Sequence, residues 1–202
     1  PFLSSSAQLS PTLFTLPTTP DPMPSADVFW TPSDWGFASA GVSYSNRRER
    51  CGDVVGDVSR IQGANDGAFF IGETGLKWHE DPVLKRAGNV KVGVWDHTGT
   101  FTRFDGTEKR GAFGYYAIFD QTLWQPAGEK EDGRGVRGFL EYGGTEESVN
   151  VIDRHIGGGL AWTGMWSGRP RDVIGVSPQY GHVSSEAGLG YPYELAVEGF
   201  YQ

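Results

Sequence analysis

The chain has 202 residues, of which 38% are hydrophobic and 13% aromatic, with 30 Gly and 12 Pro; this suits one domain, is poor in helix formers and puts an all-β fold ahead. Its 17 basic against 25 acidic residues give a formal charge of −8, which excludes a nucleic-acid groove or an anionic membrane surface as a natural partner and favours an uncharged or cationic solute. The single cysteine, Cys51, sits in a polar stretch (RRERCGD) without a CxxC or metal-ligand pattern, and no run of about 18 apolar residues occurs, so an intramolecular disulfide and helical membrane spans are excluded as well.

Residues 1 to 33 read as an extended Pro/Ser/Thr-rich segment, because successive prolines forbid helix and remove ladder donors; Val28 to Thr31 is its one candidate strand. From residue 34 to 202 the chain repeats one unit, a dozen residues alternating apolar and polar, then a polar turn. That is the period of a strand wetted on one face, and repeated runs of about ten residues point to a transmembrane β-barrel.

The expected strands are Asp34 to Tyr44, Phe69 to His79, Val90 to Thr98, Phe113 to Gln125, Val136 to Gly143, Val151 to Thr163, Val173 to Val183 and Tyr193 to Gln202. The longest polar connection, Ser45 to Asn65, suits an extracellular loop. Alternation then sorts side chains into two sets. Phe70, Leu76, Val90, Val92, Val94, Leu140, Tyr142, Ile156, Leu160, Ile174, Val176, Tyr180, Leu195 and Val197 face outward. Lys91, Phe139, Glu194 and Glu198 face inward, and small Gly157, Gly159 and Ala161 leave room there for water or solute. In the fourth strand Asp120 and Gln121 are adjacent, so either both lie near an interface or a bulge shifts the register; Asp120 is placed inward.

Placing the longest loop outside makes the connections after His79, Gln125 and Met165 periplasmic. Trp78, Trp124, Trp162 and Trp166 all lie close to those three turns, as an aromatic girdle would. Tryptophans at strand ends also pack under loops in soluble barrels.

Several stretches resemble the outer-membrane carbohydrate-selective porins of the OprB type. They are the SPTL…PDP…TPSDW entry (Ser10 to Trp35), KVGVWDHTGTF (Lys91 to Phe101), GYYAIFDQTLW (Gly114 to Trp124), GVRGFLEYGG (Gly135 to Gly144) and GGGLAWTGMWSGRPRDVIGV (Gly157 to Val176). The resemblance implies an antiparallel barrel of about sixteen strands, of which this chain supplies about half. It implies the bacterial outer membrane, passive and selective diffusion of glucose-like monosaccharides, outer-membrane lipid as the surroundings, and no cofactor, metal or catalysis. The loop from Asn46 to Ala64 matches nothing in the family pattern. With no starting Met, no secretory h-region and a strand-like end at YELAVEGFYQ, the sequence reads as part of a longer chain.

The candidate pore-lining and sugar-contact residues are Glu73, Lys77, Trp95, His97, Asp120, Arg137, Glu141, Asp153 and His155. Sugar hydroxyls both donate and accept, so a wall mixing carboxylates and cations exchanges hydrogen bonds with them, and Trp95 offers a face for a pyranose to stack on. The competing role for each is pairing across neighbouring strands to hold the wall.

Other patterns carry little. Gly133, Gly135 and Gly138 spell GxGxxG, but a strand pattern follows rather than a helix. His79, His97, His155 and His182 lack paired metal spacing, and Asp96-His97 has no serine elbow to serve. Glu146-Glu147 sits in a turn rather than as a glycosidase acid pair. Two rival classes use the same strands: a soluble β-sandwich that binds carbohydrate over a buried core, and an outer-membrane barrel enzyme with a nucleophile and base at one rim.

Overall fold

The computed structural model describes residues 25–45, 67–126 and 133–202. Cys51, the Asn46 to Ala64 loop and most of the proline-rich segment lie outside them. The strands are β1 (Ser25–Ser33), β2 (Gly36–Ser45), β3 (Gly67–Trp78), β4 (Gly88–Thr102), β5 (Glu108–Trp124), β6 (Gly135–Thr145), β7 (Ile152–Thr163), β8 (Val173–Val183) and β9 (Tyr193–Tyr201). They pair in chain order, every neighbour antiparallel, into one nine-stranded sheet. Eight of these correspond to the strands expected after residue 34. The ninth, β1, shows that the end of the proline-rich segment already belongs to the sheet: Ser25 to Trp30 pair with Ser43 to Ala38 before any of the prolines in that stretch interrupts the ladder.

The sheet is a single layer, which decides against a sandwich. A sandwich would bury one face of each sheet against the other. Here the apolar face stays open: Leu140 is 61% exposed and Val197 66%, along with Val92, Val94, Ile156, Leu160, Val176 and Leu195. Covering such side chains contributes roughly 1.5–3 kcal/mol each, so a face built from them is stable against hydrocarbon and not against water.

Among the described residues the buried apolar cluster lies on the opposite, inward face. It joins Phe69, Trp95, Phe101 and Ala112 to Val149 of the β6–β7 connection, with Ile71 and Tyr116 packed against it. Strands β4 and β5 outrun their neighbours, so their hairpin rises beyond the sheet. The connection after β6 is tied to it by an ion pair between Lys109 and Glu146 and by the Phe104 N–H donating to the Ser148 carbonyl (3.2 Å).

The two ends of the sheet differ. The 46–66 connection, the β4–β5 hairpin tip and the β6–β7 and β8–β9 connections leave from one, here called the long-loop end. At the other, Trp124 and Trp162 stand on neighbouring strands with rings 6.2 Å apart, Trp78 packs on Phe119 at 6.0 Å, and Trp166 meets Tyr201 at 6.0 Å. A second aromatic level, with Tyr115 beside Tyr142 and Tyr180 stacked on Tyr193, marks the outward face near the long-loop end. From Tyr115 to Trp124 along β5 the rise is about 23 Å for a strand tilted ~40°, close to the ~25 Å apolar band of a membrane barrel.

Candidate pore-lining site

The strand register groups the inward residues into rows. Lys77 pairs with Asn89, Asn89 with Asp120, and Asp120 with Phe139; beside that row Thr122 pairs with Arg137 and Arg137 with Ala161. One step toward the long-loop end come Lys91, Ile118, Glu141, Gly157 and Gln179, and beyond them Glu73, Gly93, Tyr116, Gly143 and His155. Eight of the nine candidate residues therefore share this face, and they divide by what their polar atoms already do.

Glu73 is occupied. The Tyr116 hydroxyl donates to its Oε2 at 2.8 Å, reaching from β5 to β3 across Gly93 of β4. A Cβ at Gly93 would stand inside the Tyr116 ring, so the residue between them has to be glycine.

Glu141 and His155 are buried in a chain of side chains across β6, β7 and β8. His155 Nε2 lies 4.0 Å from Glu141 and donates to Gln179 Oε1 (2.8 Å). Gln179 Nε2 donates to Ser177 Oγ (2.7 Å), which donates to the Gly158 carbonyl (2.9 Å). The room expected over Gly157 is taken, because the Gln179 amide and the Glu141 carboxylate close over it.

Three expectations need correction. Trp95 is only 2% exposed, tilted against Phe69 at 6.2 Å, and offers no face to a pyranose. His97 is fully buried, edge-on to Phe101 at 5.2 Å, with its Nδ1 accepting from the Gly99 N–H (2.9 Å). Both anchor the raised β4–β5 hairpin instead of meeting a solute.

Asp153 departs from the inward set altogether. Ile152 pairs with Val183 and Arg154 with His182, so Asp153 is the extra residue of a bulge. Its carboxylate accepts from His182 Nδ1 (2.6 Å) and Arg154 Nε (3.2 Å), two residues of the outward row.

What remains is one cluster with polar groups to spare. Lys77, Asn89, Asp120, Thr122 and Arg137 line a recess of about 520 Å³ toward the tryptophan end, and Lys91 stands one row above. Lys77 and Arg137 are exposed, and the Lys77 ammonium lies over the Phe37 ring, 5.5 Å from its centre. A larger recess of about 700 Å³ lies over outward Gly138 and Gly158 between Leu140, Leu160 and Val197, where it meets hydrocarbon rather than solute.

The adjacency of Asp120 and Gln121 resolves as an interface. Gln121 faces outward at the tryptophan end, where its Oε1 accepts from Trp78 Nε1 (3.1 Å) and its Nε2 donates to Asp81 Oδ2 (3.0 Å). The register shift falls just beyond it, between Thr122 and Trp124. Asp81 in turn accepts from the backbone N–H groups of Leu84 (2.6 Å), Val83 (2.8 Å) and Arg86 (3.2 Å), and those donors, Leu84 foremost, hold its carboxyl below the usual value.

Asn89, Thr122, Tyr116, Ser177 and Gln179 are absent from the sequence-derived set. Parity alone recovers all five, since each stands an even number of residues from an inward neighbour on its own strand.

Residues 20–191 match the sequence profile of a family described as carbohydrate-selective porin, OprB family. The chain belongs to the OprB family. Membership places this half-wall in the bacterial outer membrane. The high-pH structure of Pseudomonas putida OprB superposes with a TM-score of 0.69 at 18% identity, over 88% of this chain and 49% of that one. The chain thus spans about half the length of that porin, and the likeness is one of fold. Comparison with curated protein sequences gave no significant match.

Proposed function

We propose that these strands form part of the wall of a channel for passive, selective diffusion of carbohydrate, glucose-like monosaccharides above all, and that the chain is a transporter and not an enzyme. The observation that carries this is the split within the inward face. Glu73, Glu141 and His155 are engaged with neighbouring side chains, while Lys77, Asn89, Asp120, Thr122 and Arg137 gather around one recess.

The chemistry suits a sugar in transit. Lys77 and Arg137 only donate, Asp120 only accepts, and Asn89 and Thr122 do both, so a ring of hydroxyls finds complementary partners as it sheds water. A net hydrogen bond is worth on the order of 1 kcal/mol, and three together give about 3 kcal/mol. Millimolar binding needs about 4 kcal/mol, so the solute is held long enough to be recognised and not long enough to be trapped.

The test is liposome swelling with the full-length protein, comparing glucose, a disaccharide and a charged solute of glucose size. Faster, saturable glucose entry is expected, slowed by Arg137→Ala or Asp120→Asn. An inserted barrel that passes no sugar, or passes all three solutes equally, overturns the reading.

A further inference from the structure

Between the two aromatic levels the described outward face is mainly apolar, and at its upper level it carries a cation. In the row that runs Tyr115, Gly144, Arg154, His182, Tyr193, at the second aromatic level, a guanidinium points away from the channel. Even beside a carboxylate, a half-exposed guanidinium is costly against hydrocarbon and is favoured where lipid headgroups begin.

The bulge at Asp153 fixes that guanidinium. The Asp153 side chain is 7% exposed and both its oxygens are used, Oδ1 by His182 Nδ1 and Oδ2 by Arg154 Nε. Arg154 Nη2 lies 3.2 Å from Nδ1 and 3.3 Å from Nε2 of the same imidazole, so the guanidinium rests against the His182 ring. Two of the guanidinium nitrogens are thereby held, Nη1 has no hydrogen-bond partner among the described residues, and the Arg154 side chain is 54% exposed. The Tyr115 ring lies across Gly144, where a Cβ would collide with it, and this directs its hydroxyl toward Arg154.

We propose that Arg154, held by Asp153 and His182 and flanked by the Tyr115 hydroxyl, binds the phosphate of a membrane-lipid headgroup in the leaflet at the long-loop end. A planar, pre-oriented guanidinium edge matches two oxygens of a phosphate, and a neighbouring hydroxyl serves a third. The buried carboxylate lies on the Nε side of the guanidinium, so a phosphate at Nη1 meets the cation first and the carboxylate at a longer distance. The site lies on the opposite face from the recess around Lys77 and Arg137, so it works independently of what the channel carries.

The experiment is native mass spectrometry of the full-length protein in detergent, titrated with phosphatidylglycerol, with lipopolysaccharide and with a phosphate-free glycolipid of equal chain length. The phosphate lipids are expected to bind more tightly than the glycolipid, and Arg154→Gln to weaken them about tenfold. Arg154→Lys, which keeps the charge and loses the planar edge, should fall between. Arg103→Gln, a half-buried cation of the β4–β5 hairpin at the same end, should change nothing. Glucose-driven swelling by Arg154→Gln protein should equal wild type, which also shows that the variant has folded and separates this site from the channel. Equal binding of the glycolipid, an equal loss in Arg103→Gln, no loss in Arg154→Gln, or full competition by millimolar inorganic phosphate would each overturn the proposal.

Discussion

At the scale of single residues, the inward face is governed by which polar atoms have already found one another. The Tyr116 hydroxyl reaches the Glu73 carboxylate only because Gly93 between them has no side chain. Hydrogen bonds to a charged group contribute about 1.5–3 kcal/mol, and Tyr116→Phe removes this one without disturbing the ring. Chemical unfolding of the full-length protein should therefore show Tyr116→Phe destabilised by roughly that amount. A change under about 0.5 kcal/mol would mean that water already satisfies Glu73. Asp81 offers a second residue-level test, outside the membrane-spanning strands. Its carboxyl sits below the ordinary value because Leu84, Val83 and Arg86 N–H groups donate to the ionised form. A lowered folded-state value means that the stabilisation is complete above the usual carboxylate range and is lost as pH falls through the lowered value. Since Asp81 holds Gln121, and Gln121 holds the Trp78 indole, the indole N–H resonance of Trp78 should stay fixed on acidification through the usual carboxylate range and move only below it. Asp81→Asn should abolish the step.

At the scale of strands, β8 contains an element-breaking residue that the sheet absorbs. Pro178 has no N–H, and its register partner on β7 is Gly158, since Gly157 pairs with Gln179 and Leu160 with Val176. The Gly158 carbonyl is instead satisfied by Ser177 Oγ, itself held by Gln179. Ser177→Ala should leave that carbonyl buried without a donor and cost about 1–3 kcal/mol, more than the same change at exposed Ser167 or Ser185. Equal effects at the three serines would show that the backbone relaxes to solvent there. This repair also marks the boundary of what the sequence discloses. Strand positions and the two faces were legible from period-two alternation, because one face meets hydrocarbon and the other water, and Leu140 or Val197 cannot exchange faces with Glu141 or Glu198. Cross-strand partners were not legible, because register is set by the neighbouring strand: nothing local to Trp95 announces Phe69 and Val149, and nothing local to His155 announces Gln179. The bulge at Asp153 was hidden for the same reason, since one extra residue turns a carboxylate to the other face without altering the alternation on either side. β1 was half-hidden by its prolines, which forbid helix but permit an edge ladder.

For the molecule as a whole, the sheet separates two solvents and gives each its own chemistry. Its outward face is bounded by tryptophans at one end and tyrosines at the other. Its inward face is graded: toward the long-loop end the polar groups are paired or packed under the Phe69–Trp95–Phe101 cluster, and toward the tryptophan end Lys77, Asn89, Asp120 and Arg137 face the recess. That gradient sets how the wall meets charge. Acidic Glu73 and Glu141 are tied to neighbours, whereas the exposed cations Lys77 and Arg137, with Lys91 above them, flank the acid that lines the recess, Asp120. The local field at the recess is therefore positive although the whole chain carries −8. In planar bilayers with a potassium chloride gradient, Arg137→Glu in the full-length protein changes this local charge by two units beside Asp120 and should shift the reversal potential toward cation selectivity. The shift should shrink as salt rises from about 0.1 M to 1 M, where the Debye length falls from about 10 Å to 3 Å. Glu141→Gln, which changes the nominal charge by one unit in the opposite sense at a buried position one row away, should shift it in the opposite direction by far less than half as much. If each substitution moves the potential in proportion to its charge change, the ions pass the level of Glu141 as closely as that of Arg137, and the recess is not where solute meets the wall.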